Sequence, residues 1–325
     1  MKNRLVCLFA SLLAGFTFNT IAAEATDLKS GLYLHFGTPT FAPGNPAEQV
    51  PPERFAPTAL DIKQWMRTAK QAGMSYAVLT AKHESGFCLW ASQDYDYDIT
   101  HSPVKTDIIA EFIAACNAEG IAPGVHYSIP DAHNEGTARS QGPVAGLYFN
   151  LIKKHITELH AKYPGLRVQI FDASARLSPA QWNELSQLVH HLNPQCVLLD
   201  RNHDPRYDYV TVNKGNGWMW SPDALLNSMD RLLLVYNQAK ASGHSYLLNV
   251  GIDPSGRIPD SYVAALMDLK KRIDQGPATA PAATSGTGAK PDAAERLKKV
   301  KALYDQGLIN KDDYDKKVKE IMDSL

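Results

Sequence analysis

Ionisable side chains follow one predicted β-strand after another along this 325-residue chain. Because the carboxyl ends of parallel strands meet on one face of a barrel, side chains at those ends would share a pocket. One such residue could merely cap a helix or bind a loop amide, but a purely structural barrel needs none at strand after strand. We therefore expect a site for nucleophilic, acid–base or hydroxyl-binding chemistry. Its candidates are His35, His83 with Glu84, His126 with Tyr127, Asp172 and Asp200.

Aromatic residues are interleaved with these polar ones. Flat rings offer apolar faces to the C–H surfaces of a sugar while His, Asp and Arg bind the hydroxyls, so the mixture favours a carbohydrate ligand. Trp218 and Trp220 lie in a loop-like segment, residues 215–222, and are better candidates for a stacking wall than Phe87, which fits a buried core. The whole aromatic set is Phe36, Phe87, Trp90, Tyr127, Trp218 and Trp220.

The histidines and aspartates could in principle bind a metal ion. The ligands would then come one from each strand, with no His-x-His pair to give two from one strand, and the sequence has no Cys-x-x-Cys pair. No glycine-rich phosphate loop follows the first predicted strand, which disfavours a dinucleotide-binding fold. We therefore expect neither a metal nor an organic cofactor.

Short β-rich segments alternate with helical ones from residue 32 onward. Continuous apolar strands between amphipathic helices predict a parallel sheet covered by helices. Seven such units in roughly 250 residues predict an α/β fold of the (β/α)8 TIM-like barrel type. The predicted strands are 32–36, 76–81, 121–127, 168–172, 196–200, 209–212 and 246–250, and the predicted helices are 59–71, 107–118, 144–162, 179–191, 225–241 and 260–273.

Composition and charge exclude some classes of protein. With 44% hydrophobic residues the chain can bury a large core, so disorder is not its main state. Thirty-three Lys and Arg against 34 Asp and Glu give a net charge of −1. No overall basic field attracts phosphate backbones, and nucleic acid is not an expected partner.

The two ends of the chain differ from its middle. Lys2 and Arg4 precede a short apolar run that ends in small residues, the pattern of a cleaved signal peptide over residues 1–23 and of a periplasmic or secreted protein without a transmembrane span. Residues 24–275 form the predicted catalytic domain. Residues 276–291 have the composition of a flexible linker. Residues 292–325 predict a helical hairpin too small to be stable alone, which would bind a second copy or another protein.

Four ordered segments give the chain a family resemblance over residues 30–273. They are residues 31–37 (GLYLHFG), 79–90 (LTAKHESGFCLW), 124–131 (GVHYSIPD) and 247–259 (LLNVGIDPSGRIP). These segments resemble the α-L-fucosidases of glycoside hydrolase family 29. The C-terminal segment 294–325 resembles the short helical module called SHOCT.

The resemblance implies a retaining mechanism and a role for several residues. Family members use an aspartate that ends the fourth strand as nucleophile, and Asp172 fits that place. His35 and His83 match the histidines that hold the fucose hydroxyls. Trp90 and Tyr127 match aromatic residues of the second and third segments. The substrate would be a fucosylated glycan or glycoconjugate, bound also by His126, Asp200, Trp218 and Trp220.

Two departures from the family pattern concern the proton donor. Glu84 and Ser85 replace a second histidine and an aspartate of the usual Lys-His-His-Asp-Gly-Phe motif. The family takes its acid/base from a variable region after the fifth strand, where this chain has no Glu, so Asp200, Asp204, Asp208 or Asp223 would have to serve. Asp208 is the first choice, because it precedes the loop with the two tryptophans, and Glu84 is the second.

These departures keep two other functions open. A sugar-binding protein that has lost catalysis would retain the histidines and aromatics but lack a working proton donor. A glycosidase for a related sugar such as L-galactose would explain the changed contact at Glu84.

Overall fold

The computed structural model describes residues 28–42, 49–93, 95–135, 143–200, 207–210, 229–276, 297, 300–301 and 311–322. The predicted signal peptide lies outside them, as do residues 277–291 of the predicted linker. No helix among these residues is long and apolar enough to cross a lipid bilayer.

Seven parallel strands form one curled sheet. They are β1 (Ser30–His35), β2 (Tyr76–Lys82), β3 (Ala122–Ser128), β4 (Val168–Asp172), β5 (Val197–Leu199), β6 (Tyr207–Val210) and β7 (Ser245–Gly251). Their order is β5-β4-β3-β2-β1-β7-β6. Within the described strands β5 and β6 are therefore the two edges, whereas the sequence predicts a closed barrel.

Helices alternate with the strands. They are α1 (Ile62–Gln71), α2 (Ile108–Glu119), α3 (Ala132–Glu135), α4 (Gly146–Lys162), α5 (Pro179–Leu192), α6 (Met229–Ser242), α7 (Asp260–Gln275) and α8 (Lys311–Met322). The predicted strands agree within two residues at each end, and the six predicted helices of the α/β part within four. Of the predicted C-terminal hairpin, the second helix is described as α8; most of the first lies outside the described residues.

Local sequence signals explain where the helices begin. Asp61 and Asp107 each accept a hydrogen bond from a backbone N–H in the first turn of the following helix. Ser178 and Gln181 form a reciprocal capping box before α5, with Pro179 in the first helical position. These caps satisfy N–H groups that have no partner within the helix.

The two faces of the sheet are packed differently. The outer face joins the helices in the main hydrophobic core, which includes Leu34, Leu79, Val125, Trp65 and Phe112. The inner face carries a smaller hydrophobic cluster, made mainly of every second residue of neighbouring strands. That cluster contains Leu28, Tyr33, Tyr76, Val78, Val168, Ile170, Leu199 and Leu247. Polar groups on the inner face lie above it, toward the carboxyl ends of the strands.

Candidate active site

Three histidines meet on the inner face at the carboxyl ends of β1, β2 and β3. The ring centroids of His35 and His83 are 5.4 Å apart, and that of His126 is 6.1 Å from each. Tyr33 packs below them, with its ring 3.9 Å from His35 and 4.9 Å from His126. The structure thus brings these three strand-end residues together, and we call them the histidine cluster.

A β-bulge in β2 determines which side chain joins this cluster. The pairing of β2 with β3 shifts between Thr80, opposite His126, and Lys82, opposite Tyr127. Strict alternation after Thr80 would put Lys82 on the inner face and His83 on the outer one. The extra residue, Ala81, reverses that order, as bulges near active sites commonly do. His83 thereby faces His35 and His126, and Lys82 is buried on the outer face.

Asn249 of β7 fixes the orientation of His35. Its Oδ1 lies 2.7 Å from His35 Nδ1. Burial, followed by the neighbouring His83 and His126, lowers the pKa of His35 well below its usual value, so its ring is neutral at pH 7. With the proton on Nδ1, bound by Asn249, Nε2 becomes the hydrogen-bond acceptor of this ring. Asn249 is not among the residues predicted from the sequence, although a polar residue inside an apolar strand was a usable signal.

Two buried polar atoms of β3 lack a partner on the same face. His126 Nδ1 and Ser128 Oγ have no hydrogen bond among the described residues. Burial, then the neighbouring His83 and Lys82, lowers the pKa of His126 well below its usual value. Since nearly all buried polar groups in proteins are hydrogen-bonded, two such atoms side by side indicate a place for a polar ligand or water.

A cavity of about 370 Å³ opens beside the cluster. This volume is within the range of small-molecule sites. Its wall combines hydrogen-bonding residues with apolar rings, which suits a ligand that has both hydroxyl and C–H surface. The lining includes His35, Thr80, His83 and Asn249 as polar groups and Phe36 and Phe41 as apolar ones.

Asp172 ends β4 and is exposed, in contrast to the buried residues of that strand. It is the register partner of Ser128, so the two residues lie side by side on adjacent strands. Its Oδ1 accepts a hydrogen bond of 2.9 Å from the N–H of Ala173. The carboxylate therefore stands at the same edge as the histidine cluster.

Asp200 follows β5 and is almost fully buried. Its Oδ1 accepts a hydrogen bond of 2.7 Å from Ser174 Oγ, two residues after Asp172. This carboxylate is thus directed at the loop that carries Asp172.

Trp90 and Tyr127 contact the helix layer rather than the histidine cluster. Trp90 donates from Nε1 to Glu158 at 3.1 Å, and its ring lies 5.3 Å from that of His155. The Tyr127 hydroxyl is 2.9 Å from His155 Nδ1. Both aromatic side chains are buried. The structure does not bring them into the cluster.

Of the two candidate proton donors, Glu84 is at the right edge and Asp208 is not. Glu84 follows His83, is half-buried, and accepts a backbone hydrogen bond of 2.7 Å from Ala132. Asp208 pairs with Tyr246, which pairs with Ser30, the first residue of β1. Since His35 is the last residue of β1, Asp208 stands five residues below it, about 16 Å along the strand. Trp218 and Trp220 lie outside the described residues.

In the part of the chain that the structure describes, no three side chains of His, Cys, Asp or Glu are arranged to hold a metal ion. Burial and the neighbouring His83 lower the pKa values of His35 and His126, so these two rings are neutral at pH 7.

A family model for α-L-fucosidase matches residues 49–217, just over half of the chain. The chain belongs to the α-L-fucosidase family. The matched region contains His83, His126 and Asp172, while His35 and Asn249 lie on strands outside its limits.

Relatives with this description come from distant organisms. α-L-Fucosidase 1 of Arabidopsis thaliana is 30% identical over 199 residues, which cover 58% of this chain and 38% of the relative. The α-L-fucosidase of Dictyostelium discoideum is 26% identical over 312 residues, 75% of this chain and 68% of the relative. The chain thus spans less than two fifths of the length of the plant relative.

A solved structure of similar size is that of the α-L-fucosidase AlfC from Lactobacillus casei. It superposes with a TM-score of 0.63 at 25% identity, over 77% of this chain and 97% of AlfC. A variant of AlfC has been crystallised with Fucα(1,6)GlcNAc.

Proposed function

We propose that this chain is a retaining exo-glycosidase that hydrolyses terminal α-L-fucose from glycans. The observation that carries the proposal is the meeting of the histidine cluster, a cavity and the Asp172 carboxylate at one edge of the sheet, in a chain of the α-L-fucosidase family. Hydroxyl-binding groups next to a carboxylate are what sugar hydrolysis requires.

Asp172 acts as the nucleophile in this proposal. Its carboxylate attacks the anomeric carbon, and the bond from that carbon to the leaving oxygen breaks, which gives a covalent glycosyl-enzyme. Water then attacks the same carbon and releases Asp172. Two displacements restore the starting configuration, so the product keeps the α-anomeric form.

Glu84 acts as the acid/base. It protonates the leaving oxygen in the first step and takes a proton from water in the second. Strands β2 and β4 flank β3, so their backbones are roughly 10 Å apart. Side chains that extend toward one another from these strands can approach the separation of about 5 Å found in retaining enzymes. The distance of Asp208 from this edge is the reason to prefer Glu84.

The neutral histidines hold the sugar. Each neutral imidazole offers one donor and one acceptor, which matches the mixed character of sugar hydroxyls. Asn249 keeps His35 in one tautomer, and such fixed contacts can tighten as the sugar ring flattens in the transition state. Trp218 and Trp220 would supply a stacking wall, and Trp90 and Tyr127 would support the site from the helix layer.

A sugar-binding protein without turnover is the second candidate. It is favoured by the absence of Glu between Glu184 and Glu295 together with the place of Asp208 at the far end of the sheet. In that case Glu84 would bind a hydroxyl and would not transfer a proton.

Hydrolysis of an aryl α-L-fucoside separates these functions. We expect turnover with retention by proton NMR, and a loss of at least about 10⁴-fold in kcat for Asp172→Gly. Glu84→Gln should slow substrates with poor leaving groups far more than activated aryl ones, because only the former need protonation. Fucose binding without turnover would assign the second candidate. Cleavage of the α-L-galactoside instead would assign the related sugar.

We also propose that the chain forms a (β/α)8 barrel, and that the mature protein begins after a signal peptide at residues 1–23 and is periplasmic or secreted. Residues 292–325 would form a SHOCT-like hairpin that associates with a second copy or another protein. If deletion of residues 276–325 leaves the mass of the assembly in solution scattering unchanged, self-association through the hairpin is excluded.

A further inference from the structure

We propose that Asp200 is a positioning residue that holds the turn after Asp172, and that it does not bind the sugar. Through Ser174 it would keep the carboxylate of Asp172 directed at the substrate. This inference rests on the proposed role of Asp172 as nucleophile.

The turn after Asp172 is strained. Ala173 has φ 53° and ψ 34°, and it is the only non-glycine residue with positive φ in the described part of the chain. This left-handed conformation is unfavourable for alanine, because Cβ approaches the following carbonyl oxygen. The N–H of Ala173 donates to Asp172 Oδ1 at 2.9 Å, so the strained residue is in direct contact with the carboxylate. Such a conformation persists only when its surroundings hold it.

Asp200 supplies the first of two anchors beyond the strained residue. The hydrogen bond of 2.7 Å from Ser174 Oγ to Asp200 Oδ1 joins two buried side chains. Asp200 directly follows β5, and β5 is hydrogen-bonded to β4, which ends in Asp172. A rigid neighbouring strand therefore carries the acceptor for the loop of the nucleophile.

Arg176 supplies the second anchor. It forms two charge-assisted hydrogen bonds with Glu135 of α3, 2.8 Å and 2.5 Å long. Glu135 also accepts from the backbone N–H of Asp131, at the end of the loop after β3. The turn is thus attached on one side to β5 and on the other to the segment that follows β3.

The two anchors explain why a carboxylate ends β5 without serving as a sugar ligand. A nucleophile must be held close to its productive position, and a misplacement of about 1 Å can cost 10²-fold in rate. Glycine at position 173 would accept the left-handed conformation without strain but would leave the turn freer to move. Alanine held by two anchors gives one defined direction to Asp172.

The test compares Ser174→Ala and Asp200→Ala with the conservative Asp200→Asn. We expect the two alanine variants to lower kcat about 10- to 100-fold on an aryl α-L-fucoside with KM little changed. Asp200→Asn keeps an oxygen acceptor for Ser174 and should keep nearly wild-type kcat. A large loss for Asp200→Asn would overturn the proposal, because it would mean that the negative charge itself is needed. Adding Ala173→Gly to Ser174→Ala should restore part of kcat, and no recovery would also count against the strained turn.

Hydrogen exchange provides a readout that does not need turnover. Deuterium uptake of residues 172–177 should rise in Ser174→Ala and Asp200→Ala. It should stay at the wild-type level in Ser75→Ala, which loses a serine hydrogen bond at the opposite end of the sheet. If the wild-type protein cleaves no fucoside, the proposed function fails while exchange still tests the turn. Unchanged exchange in Ser174→Ala, or faster exchange with unchanged kcat, would overturn the positioning role.

Discussion

Two buried polar clusters lie back to back on strands β2 and β3, and they differ in how completely their hydrogen bonds are made. On the outer face Lys82 contacts Asp131 at 3.1 Å, the carbonyl of Pro130 at 3.2 Å and the hydroxyl of Tyr148 at 3.5 Å. Its ammonium also lies 4.7 Å from the centre of the Tyr127 ring. We call these five residues the Lys82 network. On the inner face, the histidine cluster borders two atoms without partners, in His126 and Ser128.

The two clusters also differ in whether their buried groups carry a charge. Burial alone would raise the pKa of Asp131, but Lys82 and the hydrogen bonds of Asn134 outweigh it and lower that pKa, so this carboxylate stays ionised. In the histidine cluster burial lowers the pKa values of His35 and His126, so these rings lose their charge. A buried ion pair with complete hydrogen bonds is costly to break, whereas neutral groups with unused hydrogen-bonding capacity can exchange partners with a ligand.

The largest effect on stability is expected from breaking the Lys82 network. Lys82→Met should cost about 3 to 5 kcal/mol of unfolding free energy, because it leaves the Asp131 charge buried without its partner. Lys153→Met is a matched control, since Lys153 has a partly exposed ion pair with Glu184 and, like Lys82, an ammonium over an aromatic ring, that of Phe149; its loss should change stability by about 1 kcal/mol or less. Urea denaturation measures both. If both variants lost the same unfolding free energy, the Lys82 network would contribute no more to stability than a partly exposed ion pair.

Gly86 should be nearly as sensitive, because it touches the same network. Its φ is +92°, and a Cβ there would lie 2.5 Å from Asp131 Oδ1 and 2.7 Å from His133 Cβ. We expect Gly86→Ala to cost about 2 to 4 kcal/mol. Gly146→Ala, at the start of α4 with nothing within 4 Å of the added atom, should be neutral or stabilising by up to about 1 kcal/mol. Thermal unfolding of the pair would contradict this expectation if both variants melted alike.

Acid should destabilise the protein through its buried neutral histidines. Burial, then Lys82, lowers the pKa of His155 to about 3, and burial lowers that of His160 to about 4. An unfolded histidine titrates near 6.5, so the unfolded state binds more protons below that pH. Stability is therefore complete above pH 6.5 and is lost as the pH falls toward 4, by about 1.4 kcal/mol per pH unit for each such histidine.

His155→Gln should reduce the slope of the unfolding free energy against pH by the contribution of about one proton. Urea denaturation between pH 6.5 and 4.5 measures this slope. Replacement of the exposed His190 by Gln is the matched control. If both variants kept the wild-type slope, the lowered pKa of His155 would not contribute to acid unfolding.

The smallest expected effect is a difference in stability between variants of two buried serines. Ser85 Oγ is 3.1 Å from Thr38 Oγ1 and accepts from the N–H of Phe87 at 3.4 Å, so Ser85→Ala should cost about 1 kcal/mol. Ser128 Oγ has no partner among the described residues, so Ser128→Ala should leave stability unchanged or slightly higher. Calorimetric titration with L-fucose should show weaker binding for Ser128→Ala by about 1 kcal/mol. Unchanged fucose affinity would remove Ser128 from the inner site.

The alternation of side chains along a strand accounts for part of what the sequence could predict and for one signal that was overlooked. Strand positions followed from apolar runs, and the carboxyl-end rule brought His35, His83 and His126 together. The pairing of His126 with Tyr127 as two sugar ligands ignored that consecutive strand residues face opposite sides. Alternation alone would have assigned Tyr127 to the helix layer, where it contacts His155.

Other features of the site had no readable signal. The place of Asp208 depends on the pairing of β6 with β7, and register between distant strands is not encoded in either strand alone. The left-handed turn at Ala173 is invisible because alanine rarely takes that conformation. For Asp200 the sequence indicated a carboxylate at a strand end, but its partner Ser174 could be recognised only in three dimensions.

The β-bulge in β2 makes the site depend on how the strand backbone pairs and not only on side-chain type. Between Thr80 and His83 the chain contains one residue more than alternation needs, and the bulge at Ala81 absorbs it. If the strand paired without the bulge at its present length, alternation from Thr80 would turn Lys82 toward the cavity and His83 toward the helices. Deletion of Ala81 would instead leave a regular strand in which both side chains keep their faces, so the backbone geometry of the bulge, and not the side chain of Ala81, separates an ammonium group from the cavity.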